Sequence, residues 1–259
     1  MFELFLSSFQ FPWWIYPLAL LVGGFAGFVD SIAGGGGLIT IPFLLSVGIN
    51  PVTALGTNKF QATFGTFIAV SNYLHKKVIE PKHCVIGIVC TFIGASSGSF
   101  VATIVNQDFL NLIIPVLLIT IAIYFAFKKN YSPRPPIMKL PLFYVFFGFL
   151  LGFYDGFFGP GTGAFWTMAL ILMVGFNITT AVGNTKIFNF TSNISSLIVF
   201  AFSGAILYDI AIFMALGQMM GSYLGSSLAV KKGVAIIRPI TVLITCLISL
   251  KLLVEVFIE

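Results

Sequence analysis

Lys59 and Lys186 close two short polar runs, Thr57-Asn58-Lys59 and Asn184-Thr185-Lys186, inside otherwise apolar sequence, with Gln61 and Asn189 following on nearby helix faces. Ammonium, hydroxyl and amide donors gathered in that way can hold an oxyanion by charge-assisted hydrogen bonds. Two acids accompany them, Asp30 and Asp155, each four residues ahead of a glycine-rich break: Gly34-Gly35-Gly36-Gly37 in one case, Gly159-Pro160-Gly161-Thr162-Gly163 in the other. A short helix restarting after such a break points unpaired N–H groups and a positive dipole end at whatever lies before it, which suits an anion. Each residue type also has a plainer role. The glycines can simply turn the chain and let helices approach, and a lysine about 9 Å inside its helix can snorkel to the surface. The acids admit three roles: an ion pair to a lysine, a proton-titrating coupling site, or a carboxylate bonded to the broken backbone.

The elements that position these residues belong to a bilayer. With 58% hydrophobic residues, 8% charged residues and 30 phenylalanines, the chain cannot build a water-soluble surface. Its net charge of +5 sits in short connectors and forms no basic stripe, so a nucleic-acid partner is not expected. From Trp13 to Ser46 the apolar run would make one helix of about 50 Å against a hydrocarbon core of roughly 30 Å. It must break, and Gly34 to Gly37 is where. The expected pieces are a span over Ile15–Ala33, a short helix over Leu38–Val47, and spans over Thr53–Leu74, Cys84–Val105 and Phe109–Phe127. In the second half they are Leu140–Val174, broken at Gly159 to Gly163, then Thr179–Phe202, Ile210–Val230 and Val234–Ile258. Trp13, Trp14 and Tyr16 read as an interfacial belt ahead of the first span.

The halves are copies. A shift of 125 superposes Gly23, Gly27, Asp30 and Gly34 on Gly148, Gly152, Asp155 and Gly159; after a two-residue insertion, a shift of 127 matches Gly48, Asn50 and Lys59 with Gly175, Asn177 and Lys186. The chain thus divides into a first repeat (1–127), a basic proline-rich linker (128–139) and a second repeat (140–259). Basic residues cluster at 75–83, 128–139 and 231–238, and placing all three in the cytoplasm requires each broken segment to enter and return. The fold class that follows is an all-α polytopic membrane protein of two inverted repeats, about five helical pieces each, with the short helices meeting near the midplane. Both termini then lie on the non-cytoplasmic side.

Other residues carry less. Thr63, Thr66, Ser71 and Asn72, with Thr191, Ser192, Asn193 and Ser195, either line a pathway or bond neighbouring helices. Cys84, Cys90 and Cys246 have neither metal-ligand nor disulfide spacing and read as apolar filler, and His75 and His83 read as surface groups. No metal and no cofactor is expected. The N-terminus carries Glu3 and no cleavage site, so it is not read as a removable signal peptide.

At GFVDSIAGGGGLITIPFLL with GINPVTALGTNK, and GFYDGFFGPGTG with GFNITTAVGNTK, the chain resembles the TauE/SafE family of membrane permeases, the sulfite exporters, over nearly its whole length. The resemblance implies a carrier of the bacterial inner membrane with substrates among sulfite, sulfonates and related sulfur oxyanions. The motif positions it marks are Gly34 to Gly37 with Thr57 to Lys59, and Gly159 to Gly163 with Asn184 to Lys186; Pro160 and Thr162 depart from the first copy and stiffen the second. The expected function is a secondary transporter, an exporter of such anions, helped by roughly 2.3 kcal/mol per charge per 100 mV of inside-negative potential. Its expected partners are the small anion and the lipid bilayer, with homo-oligomerisation left open. Two rivals remain at this point: a passive anion channel, and an intramembrane aspartyl hydrolase using Asp30 and Asp155 as a dyad.

Overall fold

The computed structural model of the protein describes residues 10–79, 81–127 and 135–232, and these form helices with no strand among them. The first apolar run breaks into α1 (Ile15–Ala33) and α2 (Gly37–Ser46). There follow α3 (Pro51–His75), a 3-10 turn over Pro81–Cys84, α4 (Val85–Ile104) and α5 (Gln107–Phe127). The second half holds α6 (Leu140–Phe157), α7 (Thr162–Ala169), α8 (Ile178–Phe202) and α9 (Tyr208–Lys232) among the described residues. The expected span over Val234–Ile258, Cys246 and most of the linker lie outside the described residues.

Helix limits fall close to those read from hydropathy, and the differences have local causes. α3 begins before Thr53 because Asn50 caps it: its Oδ1 accepts from the Thr53 amide at 3.0 Å, with Pro51 in the first turn. Asn177 does the same for α8, accepting from the Thr180 amide at 2.9 Å. Both asparagines are exposed, so they pack little and cap mainly. Asn50→Ala and Asn177→Ala should each cost about 1 kcal/mol, read from SDS-titration unfolding in micelles. After α7 the chain widens into a π turn over Leu170–Val174, within the stretch that carries the two-residue insertion of the second copy.

Three helices, around Ile15–Ile32, Pro81–Ile104 and Leu140–Phe157, are each long and apolar enough to cross a membrane. α3, α8 and α9 have the length but carry polar residues on their inner faces. Their outer faces, with those of α1, α4 and α6, present Leu21, Phe25, Phe67, Ile93, Phe146 and Leu224 outward. A surface that apolar belongs in lipid, and the protein is a multi-pass membrane protein. The aromatic belt is narrower than expected. Trp13 and Trp14 are exposed, but Tyr16 is buried against α9, where its hydroxyl donates to Asp209 Oδ2 at 2.9 Å.

Small residues set how the helices pack, and the most extensive crossings join one half to the other. Gly24 lies against Gly217 and Gly225 against Ser31, so α1 and α9 run parallel; Gly94 over Phe149 and Gly98 over Phe153 make α4 and α6 parallel too. α9 also runs parallel to α3, with Thr57 Oγ1 accepting from the Leu207 amide at 3.0 Å near one end and Asn72 Nδ2 donating to Ser226 Oγ at 2.7 Å near the other. In the same way α4 follows α8, from Phe188 beside Gly87 to the Ser195–Ser96 hydroxyl pair at 2.7 Å. α3 and α8 themselves cross antiparallel, Gly56 beside Phe200 and the Phe67 ring 5.7 Å from that of Phe190.

These directions sort the connectors. Ile79 packs on Gly183, and the Ile137 amide donates to Met173 O at 2.9 Å, which gathers the loop after α3, the end of the linker and the start of α8 on one side. That side holds Lys76, Lys77, Lys82 and Lys139. The other, where Ala205 meets Gly56, carries Asp108 and Asp209 and no lysine or arginine among the described residues. The two largest apolar cores lie one around Tyr73, Phe143, Trp166 and Phe188, the other around Ile41, Leu55, Phe158 and Phe200.

Candidate functional site

Between those cores lies a polar level. Along α3 the order is Leu55 in one core, then Lys59, Gln61 and Ala62, then Tyr73 in the other; along α8 it is Phe188, then Asn189 and Asn193, then Phe200. At this level the two glycine breaks meet. A Cβ on Gly163 would stand 2.5 Å from the Cα of Gly34, and one on Gly37 would stand 3.2 Å from the ring of Pro160. The backbones touch where no side chain fits.

Around the meeting point is a cavity of about 30 Å³, enough for about two waters. From the first break it is lined by Gly34, Gly36 and Gly37, and from the second by Gly159, Gly161, Thr162 and Gly163. Asp30, Asn58, Lys59, Gln61 and Ala62 complete the first half's share, and Asp155, Asn189, Asn193 and Gln218 the second's. The other residues singled out by sequence are placed elsewhere. Thr57 is occupied by the Leu207 amide, and Thr185 Oγ1 pairs with Thr167 Oγ1 at 3.1 Å. Asn184 accepts from Cys84 Sγ at 3.0 Å and donates to Thr180 O at 2.8 Å, which gives Cys84 a polar contact rather than a filler's place. Gly35 and Lys186 do not line the cavity.

Neither lysine snorkels. Lys59 Nζ sits 2.7 Å from Asp155 Oδ1, the side chains 1% and 6% exposed, and also donates to Asn193 Oδ1 at 3.3 Å. Lys186 Nζ lies 3.5 Å from Asp30 Oδ2 and donates to the Asp30 main-chain carbonyl, so it caps the C-terminal end of α1. The Asp30 carboxylate in turn accepts from the Gly36 amide at 3.4 Å. Each pair joins a lysine of one half to an aspartate of the other, and the formal charge of the four groups is zero. A lysine pair left free to attract anions is therefore not what the chain builds; each cation comes with its own counter-ion. The two carboxylates each face a separate lysine, an arrangement unlike the shared-proton dyad of an aspartyl hydrolase.

Both halves supply polar lining, and in the first half it is tied together by side-chain hydrogen bonds. Gln61 and Asn58 hydrogen-bond each other, Nε2 to Oδ1 at 3.0 Å, and Thr40 Oγ1 donates to the same oxygen at 2.6 Å. At the position equivalent to Gln61 the second half has Phe188, stacked on Trp166 at 4.3 Å between ring centroids. Sequence reasoning missed Gln218 of α9, which lines the cavity with its side chain seated in the notch left by Gly65. An amide in the apolar run Ala215-Leu216-Gly217-Gln218-Met219-Met220 was the available signal. Gln61, Asn189 and Gln218 each keep one amide oxygen with no partner among the described residues. Rotation of those amides offers either acceptors or N–H donors to an occupant. Of the remaining polar residues on α3 and α8, Asn72 and Ser195 bond neighbouring helices, while Thr63, Thr66 and Thr191 bond carbonyls of their own helix.

The profile of the family described as sulfite exporter TauE/SafE matches residues 19–252. Among curated proteins, the probable membrane transporter protein YfcA of Escherichia coli K12 is 38% identical over 253 residues, covering 97% of this chain and 94% of its own. The probable membrane transporter protein ORF9 of a Sinorhizobium species is 41% identical, covering 91% and 92%. YunE of Bacillus subtilis, with the same description, is 23% identical, covering 89% and 96%. No solved structure matches the chain. Profile and relatives run through both breaks and both lysines, and the chain belongs to the TauE/SafE sulfite exporter family of membrane transporters.

Proposed function

We propose that the protein is a secondary transporter that exports small sulfur oxyanions, sulfite or organosulfonates, across the bacterial inner membrane. Its two halves act as inverted repeats around a single binding level. One observation carries this reading: helices broken at glycine, one from each half, meet at Gly34 and Gly163 around one polar cavity that Lys59 lines. Broken helices and unpaired amides at membrane depth suit a site for a small anion. The antiparallel crossing of α3 and α8 supports inversion of the repeats. The lysine-bearing connectors gathered on one side support a cytoplasmic placement for that side, with the start of α1 opposite.

The cavity lies between two apolar cores, which favours a carrier over a passive channel, because an anion has to open a path through either core to enter or leave. Admitting an oxyanion also requires the walls to move, and rocking of one half against the other at the glycine contacts supplies that motion. Radiolabelled sulfite flux into proteoliposomes, with methanesulfonate, sulfate and an amino acid as competitors, tests the reading. The expected result is saturable flux that methanesulfonate blocks and the amino acid does not. Flux no greater than in empty vesicles would sink the choice of cargo, and flux that never saturates would favour the channel.

A further inference from the structure

Lys59 is the only lysine on the cavity wall among the described residues, and it is already neutralised by Asp155 beside it. An anion arriving there meets a net charge of zero and a carboxylate within hydrogen-bond distance of the ammonium it needs. The geometry points to Asp155 as the proton site of the carrier: the cargo anion takes the place of Asp155 on Lys59 Nζ, and the displaced carboxylate takes up a proton that crosses with the anion. This rests on the oxyanion reading above and adds the coupling ion to it; passage of a singly charged anion becomes electroneutral, so the anion's own outward gradient, and not the inside-negative potential, drives its export.

Three features of the pair support the exchange. Asp155 Oδ1 and Lys59 Nζ both lie 3.1 Å from where a Cβ on Gly159 would be, so the bond borders the backbone gap at the second break. Lys59 has Asn193 Oδ1 as a second partner, which steadies the ammonium while the carboxylate leaves. Ser192 Oγ reaches two acceptors, Asp155 Oδ2 and Asn189 O, the latter at 3.0 Å. With Asp155 ionised the hydroxyl donates to it. With Asp155 protonated the hydroxyl turns to Asn189 O and accepts the new carboxyl O–H, so both forms are satisfied by the same three groups.

The charged groups that face Asp155 are few. Lys59 comes from α3, Asp30 lines the same cavity from α1, and Lys186 of α8 is paired with Asp30. α4 and α7, also packed around α6, carry no acidic or basic residue. A carboxylate separated from Lys59 therefore has no second cation on the cavity wall, and a proton from the open side is what removes its charge. The proton adds to a carboxylate oxygen and leaves when the anion departs and Lys59 returns; no other bond is made or broken. The Lys186–Asp30 pair, off the wall on its lysine side and tied to the end of α1, holds the first break in shape and does not exchange.

Methanesulfonate is the probe of choice, because it is ionised throughout the neutral range and any proton that moves with it is the protein's. Wild-type proteoliposomes with trapped pyranine, clamped at zero potential by valinomycin and potassium, should show a proton moving in the same direction as each labelled methanesulfonate. Asp155→Asn, which keeps a hydrogen-bonding group beside Ser192 and Lys59, should carry no proton with whatever methanesulfonate exchange it retains, so the ratio of protons to anions falls from about one to zero. If that variant fails to fold, proton uptake on methanesulfonate binding to wild-type protein in weakly buffered detergent gives the same answer. Flux or binding without proton movement, or flux driven by a sodium gradient instead, overturns the proton site and leaves the oxyanion reading in place. Failure of the wild type to bind or move either methanesulfonate or sulfite overturns both.

Discussion

Lys59→Met should destabilise the folded protein by about 3–5 kcal/mol and abolish sulfite flux. The side chain is shortened only slightly and stays apolar along its stem, so packing changes little. What changes is Asp155, left without its counter-ion in a setting 6% exposed, with the Ser192 hydroxyl as its remaining close partner until a proton neutralises it. SDS titration of the purified variant in micelles measures the first effect and proteoliposome flux the second. Adding Asp155→Asn removes the stranded charge, and the double variant should recover most of the lost stability while flux stays absent. That split separates a lysine kept only for its partner from one that also serves cargo. Recovery of flux along with stability would mean that the ammonium touches no substrate. Lys186→Met should cost less, on the order of 1–3 kcal/mol, since it strands a carbonyl and a carboxylate that is 14% exposed and still bonded to the Gly36 amide.

Much of this arrangement is legible in the sequence, and the rest is hidden for physical reasons. A thirty-residue apolar run that outlasts the bilayer has to break, and four glycines say where; α1 ends at Ala33 as the hydropathy requires. The repeat offset ties Asp30 to Asp155 and Lys59 to Lys186, which fixes which residues are equivalent. It does not fix which lysine meets which acid. Pairing within a half and pairing across halves give the same one-dimensional pattern, and only the approach of Gly34 to Gly163 decides for the crossed arrangement. Reading equivalent sequence positions as equivalent environments overestimates the cavity lining in the second half. Asn184, Thr185 and Lys186 face α1, α7 and the Cys84 turn, while their counterparts Asn58 and Lys59 face the cavity. The difference is made by Phe188, which stands where the first half has Gln61 and stacks its ring on Trp166. Gln218 is invisible to motif reading because it comes from α9, whose role in the site follows from packing parallel to α1 and α3.

Gly34→Ala should cost about 2–5 kcal/mol and eliminate transport, whereas Gly48→Ala should cost about 1–2 kcal/mol and leave transport near normal. Both glycines have left-handed backbone, φ +75° at Gly34 and φ +85° at Gly48, so an L side chain meets the same intrinsic strain at either. Their surroundings differ completely. A Cβ at Gly48 would find nothing within 4 Å, and at Gly34 it would stand 2.6 Å from the carbonyl carbon of Gly163 and 2.9 Å from the Ala164 amide. Backbone cannot rotate aside as a flexible side chain does, so the second cost at Gly34 has to be met by separating the two breaks. Subtracting the loss measured for Gly48→Ala from that for Gly34→Ala therefore isolates the energy of the contact between halves. If the two variants lose the same stability and both still move sulfite, the breaks do not bear on each other, and a carrier that works by rocking one half over the other at this contact is ruled out.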